Sequence, residues 1–251
     1  MRVMSMAGVL LVLSLPLLGC NKDRDSGAAS PNVAAAPLSA PSSGGAIGDT
    51  SPVAGADKGA MSFFVSSQTN PNADLGGLSG ADARCQRLAS AVGAGSSTWH
   101  AYLSVAHDVA SGNKPVNARD RIGQGPWYNQ KGVLVAQDLK ALHARTGDPE
   151  VFLDERGRKI NGQWAGSPAP LEHDVLTGSD ANGNVMADMT CGDWTGSSAN
   201  SAAQVGHSDG LGPNKNGSPP YSSWNSAHAN QSCADTAPRG GAGRIYCFAV
   251  K

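Results

Sequence analysis

No aromatic residue occurs before position 63 of this 251-residue chain; every Trp, Tyr and Phe follows, beginning with Phe63-Phe64. Aromatic side chains bring large apolar area to a core, so the part able to fold on itself is confined to residues 61–251. A stretch of about 190 residues fits one domain. It is rich in Gly, Asn and Ser, with few long periodic segments and no internal repeat, which predicts short strands and much loop. The net charge of -1 offers no electrostatic footprint for nucleic acid or for an acidic membrane surface.

Ahead of that domain lie two different compositions. Arg2 is the only charge before the apolar run Val9–Leu18, which leads into Gly19-Cys20. A positive start, a short apolar core and a small residue describe an export signal, residues 1–19. The run is too short for a membrane-spanning helix, which needs about 20 apolar residues. Leu17-Leu18-Gly19-Cys20 resembles the lipobox of bacterial lipoproteins, which implies lipidation of Cys20 and membrane attachment through that lipid. Asn21, where retained lipoproteins carry Asp, implies the outer membrane, with the domain facing periplasm or cell surface. Residues 20–60 are then the lipidated Cys and an Ala/Gly/Ser/Pro linker that cannot bury enough apolar surface to offset its ordering entropy. About 40 such residues span roughly 35 Å root-mean-square.

With Cys20 acylated, four cysteines remain: Cys85, Cys191, Cys233 and Cys247. An even remainder in an exported chain reads as two disulfides, with three connectivities open. No Cys-x-x-Cys or His-x-x-x-His spacing supports zinc, and no metal site is expected. Ser79–Val92 is predicted as a helix with Ser79 as cap and Asp82 three residues on. Cys85, Leu88, Ala89 and Val92 share its inner face, and Gly93 ends it. Arg244–Val250 reads as the last strand, with Ile245, Cys247 and Ala249 on one side and Tyr246 and Phe248 on the other. Cys85–Cys247 would tie helix to strand across a loop worth roughly 5 kcal/mol in the chain-entropy model, and Cys191–Cys233 roughly 4 kcal/mol. The alternative pairings stay open on these grounds.

Several blocks then occur in order: Phe63-Phe64-Val65-Ser66-Ser67, Asp74-Leu75-Gly76-Gly77-Leu78-Ser79-Gly80-Ala81-Asp82-Ala83-Arg84-Cys85, Ala101-Tyr102-Leu103-Ser104, Gly125-Pro126-Trp127, Cys191-Gly192-Asp193-Trp194-Thr195 and Tyr246-Cys247-Phe248. Together they resemble the endostatin-like (collagen XV/XVIII-like) group of bacterial surface lipoproteins, a branch of the C-type-lectin-like fold. The resemblance implies an α+β domain with two short helices on a twisted, mainly antiparallel sheet, long loops, and the nested pairing Cys85–Cys247 and Cys191–Cys233. Ile122–Val135 reads as two strands about an Asn129-Gln130-Lys131-Gly132 turn, and 136–145 as the second helix. Residues 165–230 lack periodicity and are expected as binding loops.

Sugar-binding C-type lectins hold calcium through motifs whose nearest counterparts here, Gly212-Pro213-Asn214 and Trp224-Asn225-Ser226, each lack the acid. Calcium sites are built from oxygen donors, so no cofactor is expected and calcium would find its usual motifs incomplete. Asp180-Ala181-Asn182-Gly183-Asn184 reads as a tight turn instead. His173-Asp174 are adjacent, but chain neighbours rarely face one ligand. No Gly-x-Ser-x-Gly elbow or paired acid/base group emerges, so an enzyme is not expected. The candidate ligand-binding residues are Trp164, Asp193, Asp209, Trp224 and Asn225, with Trp164 and Trp224 expected exposed among polar neighbours and most other Trp in the core. The expectation is a non-catalytic, lectin-like or adhesin-like envelope protein that recognises a glycan or matrix-type protein. The alternative is a structural lipoprotein contacting another envelope component.

Overall fold

The computed structural model describes residues 59–250. The export signal, Cys20 and the linker up to residue 58 lie outside the described residues. Within them the domain is α+β, with few helices on mixed sheets. In chain order come β1 (Phe63–Val65), α1 (Gly77–Ala91), β2 (Thr98–Ala101), β3 (Val105–Asp108), β4 (Lys114–Val116), β5 (Trp127–Tyr128) and β6 (Leu134–Ala136). There follow α2 (Leu139–Ala144), β7 (Asp174–Leu176), β8 (Gln204–His207), β9 (His228–Ala229) and β10 (Gly241–Val250). No described helix is long and apolar enough to cross a membrane.

The ten-residue β10 organises the main sheet. Its C-terminal half pairs antiparallel with β1 (Phe64 opposite Cys247) and with β2 (Ala101 opposite Cys247). Its N-terminal end runs parallel to β7, and β8 and β9 continue the sheet antiparallel. The expectation of a mainly antiparallel sheet therefore holds except at the β7–β10 pair. The predicted alternation along β10 is observed: Ile245, Cys247 and Ala249 join one core with Phe64, Leu88, Trp99 and Trp194. Tyr246 and Phe248 join the opposite core with Phe63, Tyr102, Trp127, Phe152 and Trp224. A sheet buried on both faces needs apolar residues at consecutive positions, and Tyr246-Cys247-Phe248-Ala249 supplies them.

Helix α1 begins two residues earlier than expected and without a side-chain cap. Gly76 and Gly77 take φ of 74° and 70°, and this left-handed turn, which only glycine adopts at little cost, swings the chain into the helix. Ser79 Oγ donates to the Gly76 carbonyl instead of capping. Asp82 turns away to accept from the Ala101 N–H at 2.8 Å and to pair with Arg121 at 2.6 Å, bracing α1 against β2. Helix α2 is shorter than expected and starts at Leu139, capped by Asp138, whose carboxylate accepts from the Ala141 N–H at 2.7 Å.

Cys85 is joined to Cys247 and Cys191 to Cys233, with Cα–Cα separations of 5.5 and 5.6 Å. Closing loops of 162 and 42 residues removes about 5 and about 4 kcal/mol of unfolded-state entropy.

The segment 165–230 departs most from expectation. It supplies β7, β8 and β9, half of the main sheet, together with connecting loops. These strands are three, four and two residues long, too short to leave a period in the sequence.

Candidate functional site

The pairing of those short strands assembles a cluster of titratable side chains. Asp174, first in β7, lies directly opposite His207, last in β8. His228 opens β9 opposite Val205, two residues before His207 and therefore on the same face. That face is apolar where Leu176 and Val205 enter the core and becomes polar at the strand ends. His173, just before β7, and Asp209, just after β8, complete the group.

The geometry separates two carboxylates with different work. Asp209 is fully bonded: Oδ1 accepts from His173 Nδ1 at 2.7 Å and the Leu211 N–H at 3.1 Å, and Oδ2 from the Gln163 N–H at 2.6 Å. Burial alone would raise its pKa; the His173 hydrogen bond and charge, with the two backbone donors, outweigh burial and hold it below the usual carboxylate range. Among the described residues, Asp174 has no hydrogen-bond partner for either buried oxygen. Oδ1 lies 3.4 Å from His173 Nε2 and 3.2 Å from His207 Nε2, and Oδ2 lies 3.6 Å from His228 Nε2. Neither ring nitrogen of His207 has a partner. Buried polar groups are bonded in the great majority of cases, so Asp174 and His207 together mark a polar site short of partners.

Two of the imidazoles have their tautomer set from behind. His173 uses Nδ1 toward Asp209, and His228 uses Nδ1 toward the Ala229 carbonyl at 2.9 Å, so each turns Nε2 to Asp174. His173 stacks on His207 with centroids 4.3 Å apart, and His207 meets His228 edge to face at 4.9 Å. Tyr221 lies parallel to His207 at 5.9 Å. Above them opens a cleft of about 350 Å³, walled by Gln163, Leu171, Tyr221 and Arg239. His228 is 25% exposed at its rim and His207 1% exposed in its lining, while Asp174, 1% exposed, lies behind them against their Nε2 atoms.

The sequence-predicted ligand residues divide between this cleft and the scaffold. Asp209 belongs to the cluster, as a buried orienting group. Trp164 is half-buried one residue from Gln163, with Lys159 Nζ 4.8 Å from its ring and its Nε1–H donated to the Ile160 carbonyl. Trp224 is a correction: it is 0% exposed, packed 4.8 Å from Tyr102 and 5.1 Å from Tyr246, and its Nε1–H donates to the Leu142 carbonyl at 2.8 Å. Its polar neighbours Ser222 and Asn225 are themselves buried, and Asn225 donates to Tyr102 Oη and to the carbonyls of Asp180 and Ala181. Asn225 is likewise a scaffold residue.

Asp193 is not among the residues that line this cleft. Its carboxylate accepts from the N–H groups of Ala106 and His107 and from the Thr190 hydroxyl, fastening β3 to the Cys191–Trp194 turn. Asp180 is a tight turn as expected, its oxygens taken by the Asn182 and Asn184 N–H groups and the Asn184 amide.

Asp174, His207, His228 and Tyr221 were not among the expected site residues, and the expectation that His173 and Asp174 would not face one point is overturned. The available signal was positional. His173-Asp174 precedes the apolar Val175-Leu176, and His207-Ser208-Asp209 follows Val205, so polar ionisable pairs mark the ends of two strands.

Among the described residues, His173, Asp174 and His207 form a buried group whose donor atoms all lie within 4.8 Å of one another, close enough for one ion. In class the chain is a disulfide-stapled α+β domain with a polar cleft at the end of its main sheet. No protein-family model and no curated protein matches it.

Proposed function

We propose that this chain is a lipid-tethered, non-catalytic binding protein of the cell envelope, with an endostatin-like, C-type-lectin-like domain that takes its ligand in the cleft over His207 and Tyr221. The tether is Cys20 in its Leu-Leu-Gly-Cys context, followed by a linker that holds the domain clear of the headgroups. The single observation that carries the reading is the cleft itself. It pairs an aromatic wall, Tyr221, with a hydrogen-bonding rim of Gln163, His228 and Arg239 over the rings of His173 and His207. Such a mix of one stacking face and several directional donors suits a glycan better than an apolar ligand. A matrix-type protein is the second class of ligand for the same surface.

The test is glycan-array and matrix-protein binding by the full chain, alongside Tyr221→Ala and Arg239→Ala. Binding to a glycan set that both variants weaken at least tenfold supports the reading. Silence on both ligand classes, or binding indifferent to both substitutions, removes it. A structural role in the envelope predicts instead one dominant endogenous partner on crosslinking in intact cells.

A further inference from the structure

We propose that His173, Asp174 and His207 bind a divalent transition-metal ion, zinc by preference, with the remaining coordination position open toward the cleft beside His228.

Four observations converge. The carboxylate of Asp174 is buried with both oxygens unpartnered, and both nitrogens of the buried His207 are unpartnered as well. Buried polar groups are bonded in the great majority of cases, so two such side chains facing each other mark a missing partner that both would accept. The separations fit an ion of zinc's size. Zinc–nitrogen and zinc–oxygen bonds of about 2.0–2.2 Å give tetrahedral edges of about 3.3–3.6 Å. Asp174 Oδ1 stands 3.4 Å from His173 Nε2 and 3.2 Å from His207 Nε2.

The supporting shell is also in place. Asp209 accepts from His173 Nδ1 at 2.7 Å, leaving the Nε2 lone pair toward Asp174, which is the carboxylate–histidine–metal arrangement of protein zinc sites. The donor chemistry then selects the ion. Calcium and magnesium take oxygen ligands, whereas imidazole with one carboxylate suits zinc and its neighbours.

One adjustment is required. The rings of His173 and His207 are stacked with planes 17° apart, so their Nε2 lone pairs converge only if one ring turns. His207 is the ring that turns, since neither of its nitrogens has a hydrogen bond to lose, while His173 is held by Asp209. Entry is through the cleft, where His228 forms the exposed rim. The site stands apart from the glycan reading: a chain that binds metal and no glycan would keep this proposal and lose the other.

The experiment is equilibrium dialysis of the full chain, stripped with chelator and then exposed to buffered zinc, with metal content read by elemental analysis. The wild type should retain one zinc per chain. Asp174→Asn should retain none, and Asp209→Asn should bind about 10–100-fold more weakly through loss of His173 orientation. His107→Ala, a surface histidine away from the cluster, should behave as wild type. Thermal unfolding of the metal-free Asp174→Asn chain checks that the variant is folded. If that variant fails to fold, His207→Gln replaces it. No zinc retained by the wild type would overturn the proposal. Equal retention by the substituted chain would overturn it too.

Discussion

The Tyr102 hydroxyl sits in a buried chain of hydrogen bonds. Asn225 Nδ2 donates to it at 3.0 Å, and it donates to His143 Nε2 at 2.8 Å. His143 in turn gives its Nδ1–H to the Leu139 carbonyl, which fixes the tautomer. Burial pushes the Tyr102 hydroxyl pKa well above its usual value and pulls that of His143 down. A histidine with a lowered folded pKa contributes stability that is fully present above its unfolded pKa of about 6.5 and is lost as pH falls through the folded value. The melting-temperature gap between wild type and His143→Gln should therefore hold steady above about pH 6.5 and narrow as pH falls from about 6.5 toward 5. A gap constant over that range would contradict the neutral, accepting His143. Trp224 anchors the same core, and its replacement by Ala should cost about 3–5 kcal/mol in urea unfolding. A loss below about 0.5 kcal/mol would mean a surface ring. Sequence neighbours misplace Trp224 because Ser222, Ser223, Asn225 and Ser226 are polar yet bonded inward; Ser223 Oγ, for one, donates to Asn225 Oδ1.

At the scale of elements, β10 was legible in the sequence and β7–β9 were not, for one reason. Five consecutive buried residues, Ile245 to Ala249, alternate between the two cores and leave a pattern that sequence can carry, with Cys247 marking the face toward α1. Strands of two to four residues take their register from partners far along the chain, and no local period records it. Close approach leaves a fainter mark: a Cβ on Gly206 in β8 would run into the Trp224 carbonyl. Gly206→Ala should accordingly destabilise the domain by about 1–3 kcal/mol, the usual cost of overpacking, as read by thermal unfolding. An unchanged melting temperature would show that β8 and the Trp224 segment are not packed this way. The disulfides were legible as a count, while their pairing came from the resemblance. Replacing Cys85 and Cys247 together by Ala should cost about 5 kcal/mol, against about 4 kcal/mol for Cys191 and Cys233. The reverse order in denaturant unfolding would mean that strain or residual structure, not loop length, governs them.

Across the whole molecule, a doubly covered sheet holds a polar cluster at one end. The residues that build it, Asp174, His207 and His228, lie far apart in the chain and meet only through the β7–β8–β9 register. That is why neither short motifs nor adjacent pairs disclosed the site, while Asp209 was found for a reason other than its role. The same register explains its rigidity: the floor hangs on strand ends continuous with the core residues Leu176 and Val205. The site is therefore expected to be formed before any ligand arrives, with the His207 ring as its one moving part. Anomalous diffraction at the zinc edge, from crystals of the metal-loaded chain, tests this most directly. The account predicts a single strong peak about 2 Å from Asp174, His173 Nε2 and a turned His207. A map with no peak between those three residues, or with metal only at surface histidines such as His107, would contradict it.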